Sequence, residues 1–433
     1  MDLPIANYQA RRQSLQSNLP EGFVAILRAG ELCTRNSDCD FEFRPNSHFF
    51  YLTGYAEPGA YVLINKTQSI LFNLPKDPEK EQWDGFRHGV EGAIENFAFD
   101  QAFALDDMDE QIIGLLDGSQ SVWFDFSDDV LQQQIVNWQQ SLAKKVRQGA
   151  QAPAQFNQLA NLLGEMRLVK DAEEIALMEK AAQISVKAHQ QAMQTVTPGM
   201  KEYELEAELN YCFMKSGSRT PAYNNIVATG SNACTLHYIE NNAEIKDGDL
   251  ILIDAGCELG FYASDITRTF PANGQFSEPQ AALYNLVLKA QKEAIDTVVV
   301  GAKYTDFHDV AVRVLSQGLI ELGLLEGELE SVIEDKSYRD FYMHNTGHWI
   351  GMDVHDVGSY KIDAESRPLK PGMVVTVEPG LYVSKDNMKV DEKWRGIGIR
   401  IEDDVLVSDA GPVILTHGLA REVDEIEALM AKG

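Results

Sequence analysis

Long apolar runs are missing from this 433-residue chain. No stretch reaches the roughly 18 residues that a membrane-crossing helix needs, so a membrane protein is not expected. Cysteine is scarce and unpatterned: Cys33, Cys39, Cys212, Cys234 and Cys257 are odd in number and never form a C-x-x-C pair. That excludes a disulfide framework and a zinc knuckle. Basic residues are in deficit. The 37 Lys and Arg against 66 Asp and Glu leave a formal charge of −29, a poor match for nucleic-acid phosphates or anionic membranes. The opening segment, MDLPIANYQARRQSLQSNLP, lacks the apolar core of a secretion signal and patterns as a polar helix, so a soluble cytoplasmic protein is expected.

What is present is ordinary globular composition. With 44% apolar and 24% charged residues, the chain is neither disordered throughout nor collagen-like, and its length suggests two or three domains. Residues 1–165 mix helical and strand patterns. A helix is expected over Ala6–Leu19, with strand-like runs at Gly22–Leu27, Phe49–Thr53, Tyr61–Asn65, Ile70–Leu74 and Ser121–Phe126. The polar stretch Arg147–Gln158 reads as a linker. Beyond it, Asp171 with Glu174 three residues on predicts the start of a long helix ending near Thr195.

The second part, residues 166–433, carries a degenerate repeat. Lys246-Asp-Gly-Asp-Leu-Ile-Leu-Ile-Asp254-Ala-Gly256 matches Lys370-Pro-Gly-Met-Val-Val-Thr-Val-Glu378-Pro-Gly380. Upstream, a helix, a Gly199-Met-Lys turn and a helix match a helix, a Gly301-Ala-Lys turn and a helix. The order is kept while the offset grows from 102 to 124. A duplicated α/β unit follows, with two strand systems facing each other and ligands supplied from both halves.

Carboxylates and histidines concentrate in that part. Apolar runs flank Asp254-Ala-Gly-Cys-Glu-Leu-Gly-Phe-Tyr-Ala-Ser-Asp265, predicting a hairpin. A turn centred on Leu259-Gly260 would set Asp254 directly opposite Asp265 on one face, where two bare carboxylates repel unless a cation lies between them. His344, His348 and His355 are three of only nine histidines and fall within twelve residues of a glycine-rich loop. The zincin Glu between paired histidines is absent. His237 stands in Thr-Leu-His-Tyr; Glu378 ends a strand; Arg400 and Glu402 share a strand face, so the arginine would keep nearby carboxylates ionised. Four carboxylates and one imidazole suit two divalent ions, Mn²⁺ foremost, with Co²⁺ or Zn²⁺ as alternatives. Paired ions of this kind support amide hydrolysis through a bridging hydroxide.

The runs D-A-G … Y-A-S-D-I-T-R-T, H-N-T-G-H-W-I-G-M-D-V-H-D-V-G, V-E-P-G-L-Y and G-I-G-I-R-I-E-D-D resemble those of the pita-bread metallopeptidases. Within that family the likeness is to the bacterial aminopeptidase P branch, and it extends to Arg-Pro-Asn-Ser-His-Phe-Phe-Tyr-Leu-Thr-Gly and Glu81–Arg87 near the N-terminus. The resemblance implies a mixed α/β N-terminal domain (1–165), serving assembly and substrate access. It implies a pita-bread catalytic domain (166–433) with pseudo-twofold duplication. Asp254, Asp265, His348, Glu378 and Glu402 match the family's metal ligands, and Glu378 also its proton shuttle. His237, His344 and His355 match substrate-orienting histidines, and Arg400 and Tyr382 a pair that supports the ligands. Trp83 and Arg87 match a segment that reaches a neighbouring subunit's site, which implies a homodimer or homotetramer. The implied reaction is cleavage of a peptide after its first residue when proline is second. Prolidase, with organophosphate cleavage as a side activity, is the alternative. Metal-free relatives that process creatine or only bind peptides lack several of these ligands, and none is missing here.

Overall fold

Short β-branched and aromatic runs pair into a six-stranded mixed sheet in the first of two compact units. The computed structural model describes residues 3–432, and the division falls between Met166 and Arg167. The sheet runs in the order Gln101–Ala104, Ser69–Asn73, Tyr61–Asn65, Phe23–Arg28, Ser121–Phe124, Gln155–Gln158. The two pairs made by Tyr61–Asn65 are antiparallel and the other three are parallel. Ile26, Leu63, Phe72 and Val122 pack against Ile112, Leu116, Ile135 and Trp138 to make the core.

Two sequence expectations fail in this unit. Phe49–Thr53 belongs to a helix, Ser47–Thr53, not a strand. Asn46 caps it by accepting from the Phe49 N–H at 3.1 Å, and Gly54 ends it in the left-handed region, so the flanking residues outweigh the β-prone interior. The stretch read as a linker contains the edge strand Gln155–Gln158, which pairs in parallel with Ser121–Phe124.

The second unit repeats one order of elements. Helices Ala172–Thr195 and Glu202–Lys215 precede the strand Leu250–Asp254; helices Glu278–Asp296 and Asp306–Glu321 precede Val374–Val377. Asp171 and Glu174 form the expected capping box. The turns use the same backbone bonds: Gly199 N–H to Ile245 O and Ile245 N–H to Met200 O, both 2.8 Å, against Gly301 N–H to Leu369 O at 2.9 Å and Leu369 N–H to Ala302 O at 2.8 Å. In each half the strand then forms a short hairpin and returns beside itself, as Thr267–Pro271 in one case and Asp403–Ser408 in the other. Thr269 and Arg400 join the halves, the threonine hydroxyl donating to the Arg400 carbonyl at 3.0 Å. No helix among the described residues is long and apolar enough to cross a membrane.

The hairpin register differs from expectation. Asp254 pairs with Thr267, so by the same register Asp265 lies opposite Gly256 rather than Asp254. The turn is Gly260-Phe261, both with positive φ (56° and 65°), the two-residue turn whose twist suits a hairpin. A shift of two residues preserves the face, so both carboxylates still point to the same side.

Candidate active site

Five sequence-predicted donors line one cavity of about 540 Å³ in the second unit: Asp254, Asp265, His348, Glu378 and Glu402. They arrive from both halves of the repeat. Asp254 ends its strand, and Asp265 lies where the hairpin returns. Glu378 follows Val374–Val377, and Glu402 lies between Ile397–Arg400 and Asp403–Ser408. Asp265 and Glu402 are buried, and the other three are half-buried. One donor atom each from Asp265, His348 and Glu402 falls within a 4.8 Å span. His348 Nε2 lies 3.5 Å from Asp265 Oδ2 and 3.6 Å from Glu378 Oε1.

Neighbouring side chains fix these donors. His348 Nδ1 faces the Trp349 carbonyl at 3.0 Å, which requires the proton on Nδ1 and leaves Nε2 aimed at the carboxylates. Arg400 donates to Asp254 at 2.6 Å, to the Thr267 hydroxyl at 3.0 Å and to the Tyr382 hydroxyl at 2.9 Å. Thr267 in turn donates to Glu402 at 2.5 Å. Tyr223 bridges Asp254 and Asp265 with its hydroxyl, at 2.7 and 2.5 Å.

The charge balance supplies a test of whether a metal fits. Burial, then the crowding of like charges, pushes Glu378 up to about 7 and Glu402 well above the usual range; burial also raises Asp254. Burial opposes the charge on Asp265 too, but its contact with His348 and the Tyr223 hydroxyl hold it below its ordinary value. Burial would lower His348, yet Asp265 and Glu378 lift it to about 9. The cluster therefore holds protons because it is short of positive charge, and one arginine does not balance four carboxylates. Oxygen donors with one imidazole suit hard or borderline divalent ions, so the residues fit a metal.

The remaining predicted residues divide into three groups. His237 and His355 line the cavity from exposed positions, the His355 ring 4.4 Å from that of His348. His344 also lines it, but both ring nitrogens already have partners, the Asn345 carbonyl at 2.7 Å and the Tyr382 hydroxyl at 2.9 Å. Arg400 lines the cavity although largely buried, and Tyr382, buried behind it, accepts its hydrogen bond. Trp83 (88% exposed) and Arg87 belong to the first unit and are not among the residues that line the cavity. Sequence reasoning missed Tyr223 and Thr267. Tyr223 stands 31 positions before Asp254 in a loop with no local pattern to mark it. Ile226, Leu236, Ile239 and Val354 form an apolar wall of the cavity that was also not anticipated.

The sequence signature of metallopeptidase family M24 matches residues 176–409, which span the whole site. The chain belongs to that family. The M24 match is preceded by one to the aminopeptidase P N-terminal domain over residues 8–123. Xaa-Pro aminopeptidases of Haemophilus influenzae and Escherichia coli are each 42% identical to it. The first match covers 99% of this chain and 98% of the relative; the second covers 98% and 97%. Among solved structures, Pseudomonas aeruginosa aminopeptidase PepP superposes with a TM-score of 0.99 at 48% identity, covering 100% of this chain and 99% of that one. Zn-substituted E. coli aminopeptidase P in complex with product gives 0.97 at 40% identity, with the same coverage. The pita-bread fold of the catalytic unit is thus the M24 fold.

Proposed function

We propose that this M24 enzyme hydrolyses the bond between an N-terminal residue and a following proline. In this reading two divalent ions, Mn²⁺ foremost, are held by Asp254, Asp265, His348, Glu378 and Glu402. The observation that carries it is the convergence of four carboxylates and one correctly protonated imidazole on a single cavity, in a chain whose full-length relatives are named Xaa-Pro aminopeptidase. Bound ions would activate water and polarise the scissile carbonyl.

The protein's own groups supply the rest. Glu378, at the end of its strand on the cavity wall, takes a proton from the attacking water and passes it to the departing proline nitrogen. Arg400 and Tyr223 orient Asp254, and the Trp349 carbonyl fixes the tautomer of His348. His237 and His355 face the substrate carbonyl. His344, tied to Tyr382 and thence to Arg400, transmits that support to the cavity wall. Proline's nitrogen offers no N–H in a peptide bond, and the apolar wall of Ile226, Leu236, Ile239 and Val354 accepts its ring without leaving a polar group unmatched. A homodimeric or homotetrameric cytoplasmic enzyme, in which Trp83 and Arg87 of the N-terminal domain (residues 1–165) contact substrate in a neighbour's site, completes the proposal.

Release of the first amino acid from an Xaa-Pro-Xaa tripeptide, compared with cleavage of an Xaa-Pro dipeptide after the same Mn²⁺ loading, tests it. Tripeptide cleavage supports the aminopeptidase reading; cleavage of the dipeptide alone replaces it with a prolidase.

A further inference from the structure

Between Asp254 and Glu258 the donor hairpin keeps single backbone bonds, Ala255 N–H to Ile266 O and Ser264 N–H to Cys257 O, both 3.1 Å, and side chains from elsewhere hold other backbone groups of this stretch. The Cys257 N–H donates to Ser185 Oγ at 3.0 Å, and the Asp265 N–H donates to Asp404 Oδ2 at 3.1 Å. The carbonyl of Ala255, the residue directly after Asp254, lies 2.8 Å from His189 Nε2. Only a protonated Nε2 can satisfy a carbonyl, so Nε2 carries the hydrogen. His189 is fully buried on the helix Ala172–Thr195, and nothing in the proposed chemistry uses it. Its Nδ1 has no hydrogen-bond partner among the described residues, so the ring sits there at a desolvation cost that a leucine would not carry. Burial pushes its pKa down to about 4, which keeps it neutral at physiological pH.

Ser185 and His189 are four residues apart and share a helix face with Ala181, whose carbonyl accepts from Cys257 Sγ at 3.3 Å. One helix face therefore grips the hairpin at successive turns, next to Asp254 on one strand and across from Asp265 on the other. We infer that His189 is a positioning residue for the metal centre: its Nε2–H fixes the Ala255 carbonyl and so sets the placement of Asp254 relative to Asp265. The inference rests on the metal-dependent reading above.

The experiment compares wild type, His189→Leu, His189→Gln and His189→Asn by Mn²⁺ titration calorimetry, by melting of the metal-free proteins, and by kcat and KM on an Xaa-Pro-Xaa tripeptide. A glutamine amide reaches where Nε2 stands; an asparagine amide falls short. Expected is a loss of Mn²⁺ affinity of roughly 10- to 100-fold in the Leu and Asn variants, the range seen when partners of metal ligands are removed. Their kcat should fall at least tenfold at saturating Mn²⁺ with KM little changed, while the Gln variant stays near wild type. Should the Leu variant not fold, the Gln–Asn contrast decides alone. Variants that melt lower when metal-free yet match wild type in Mn²⁺ affinity and kcat would reduce His189 to packing and overturn the inference. A wild type that neither binds Mn²⁺ nor cleaves removes the proposed function as well, which separates the two failures.

Discussion

Gly256→Ala is the sharpest steric test of how the donor hairpin is built. A Cβ at this position would stand 1.7 Å from the Ser264 carbonyl oxygen and 2.5 Å from its carbon, both backbone atoms that no rotamer change can remove. An ordinary carbon-to-oxygen contact is about 3.3 Å, so the two strands must separate locally by roughly 1.5 Å. That separation falls two residues from Asp254 and one from Asp265. Misplacement of catalytic groups by about 1 Å costs on the order of 100-fold, so kcat/KM should fall by at least that much at saturating metal. Overpacking of this kind costs about 1–3 kcal/mol, or roughly 3–10 °C in Tm for a unit of this size. Steady-state kinetics on the tripeptide and calorimetric melting read both effects. A Gly256→Ala enzyme within threefold of wild-type kcat/KM and within 2 °C in Tm would refute the reasoning.

Gly347→Ala should behave similarly, since its Cβ would lie 1.9 Å from the Thr376 carbonyl oxygen directly before His348; loss of Mn²⁺ affinity by calorimetry checks it. In the metal-free protein, Glu378 holds a proton up to about pH 7 that the unfolded chain releases near 4.5, so its contribution to stability is present below 4.5 and lost as pH rises to 7. Urea unfolding of wild type against Glu378→Gln should therefore shift by about 3 kcal/mol across that window, with wild type losing ground at the higher pH. Asp356 is fully buried and bonds both Arg167 (2.5 Å) and Lys170 (3.1 Å), cations that are themselves buried. Asp356→Ala should cost about 3–5 kcal/mol in denaturant unfolding and disturb the adjoining His355. The exposed Arg313–Glu330 pair, removed in the same assay, should leave the midpoint unchanged.

Residues that announce themselves locally were legible in the sequence. Asp171 with Glu174 marks a helix start through short-range bonding, and the lysine-glycine turns before Leu250 and Val374 mark the two halves because both use one backbone geometry. That duplication implied donors from both halves, and the family resemblance implied which five residues they are. What escaped depended on single torsions or on distant partners. Phe261 accepts a positive φ, which moves the hairpin register by two and replaces the expected Asp254–Asp265 pairing with Asp254–Thr267. Asn46 and Gly54 convert an aromatic run into a helix from outside it. Tyr223 and Thr267 become parts of the site only when loops and strands from separate stretches meet, and His344, expected to orient substrate, has hydrogen-bond partners at both nitrogens.

The most direct measurement is release of the first residue from an Xaa-Pro-Xaa tripeptide by chelator-treated wild type and Asp265→Asn, before and after Mn²⁺ is restored. Wild type should be silent when chelated and regain activity with Mn²⁺, and Asp265→Asn should stay at least 100-fold below it throughout. Cleavage that survives chelation, or an Asp265→Asn enzyme that recovers as fully as wild type, would contradict a metal-dependent aminopeptidase built on these residues.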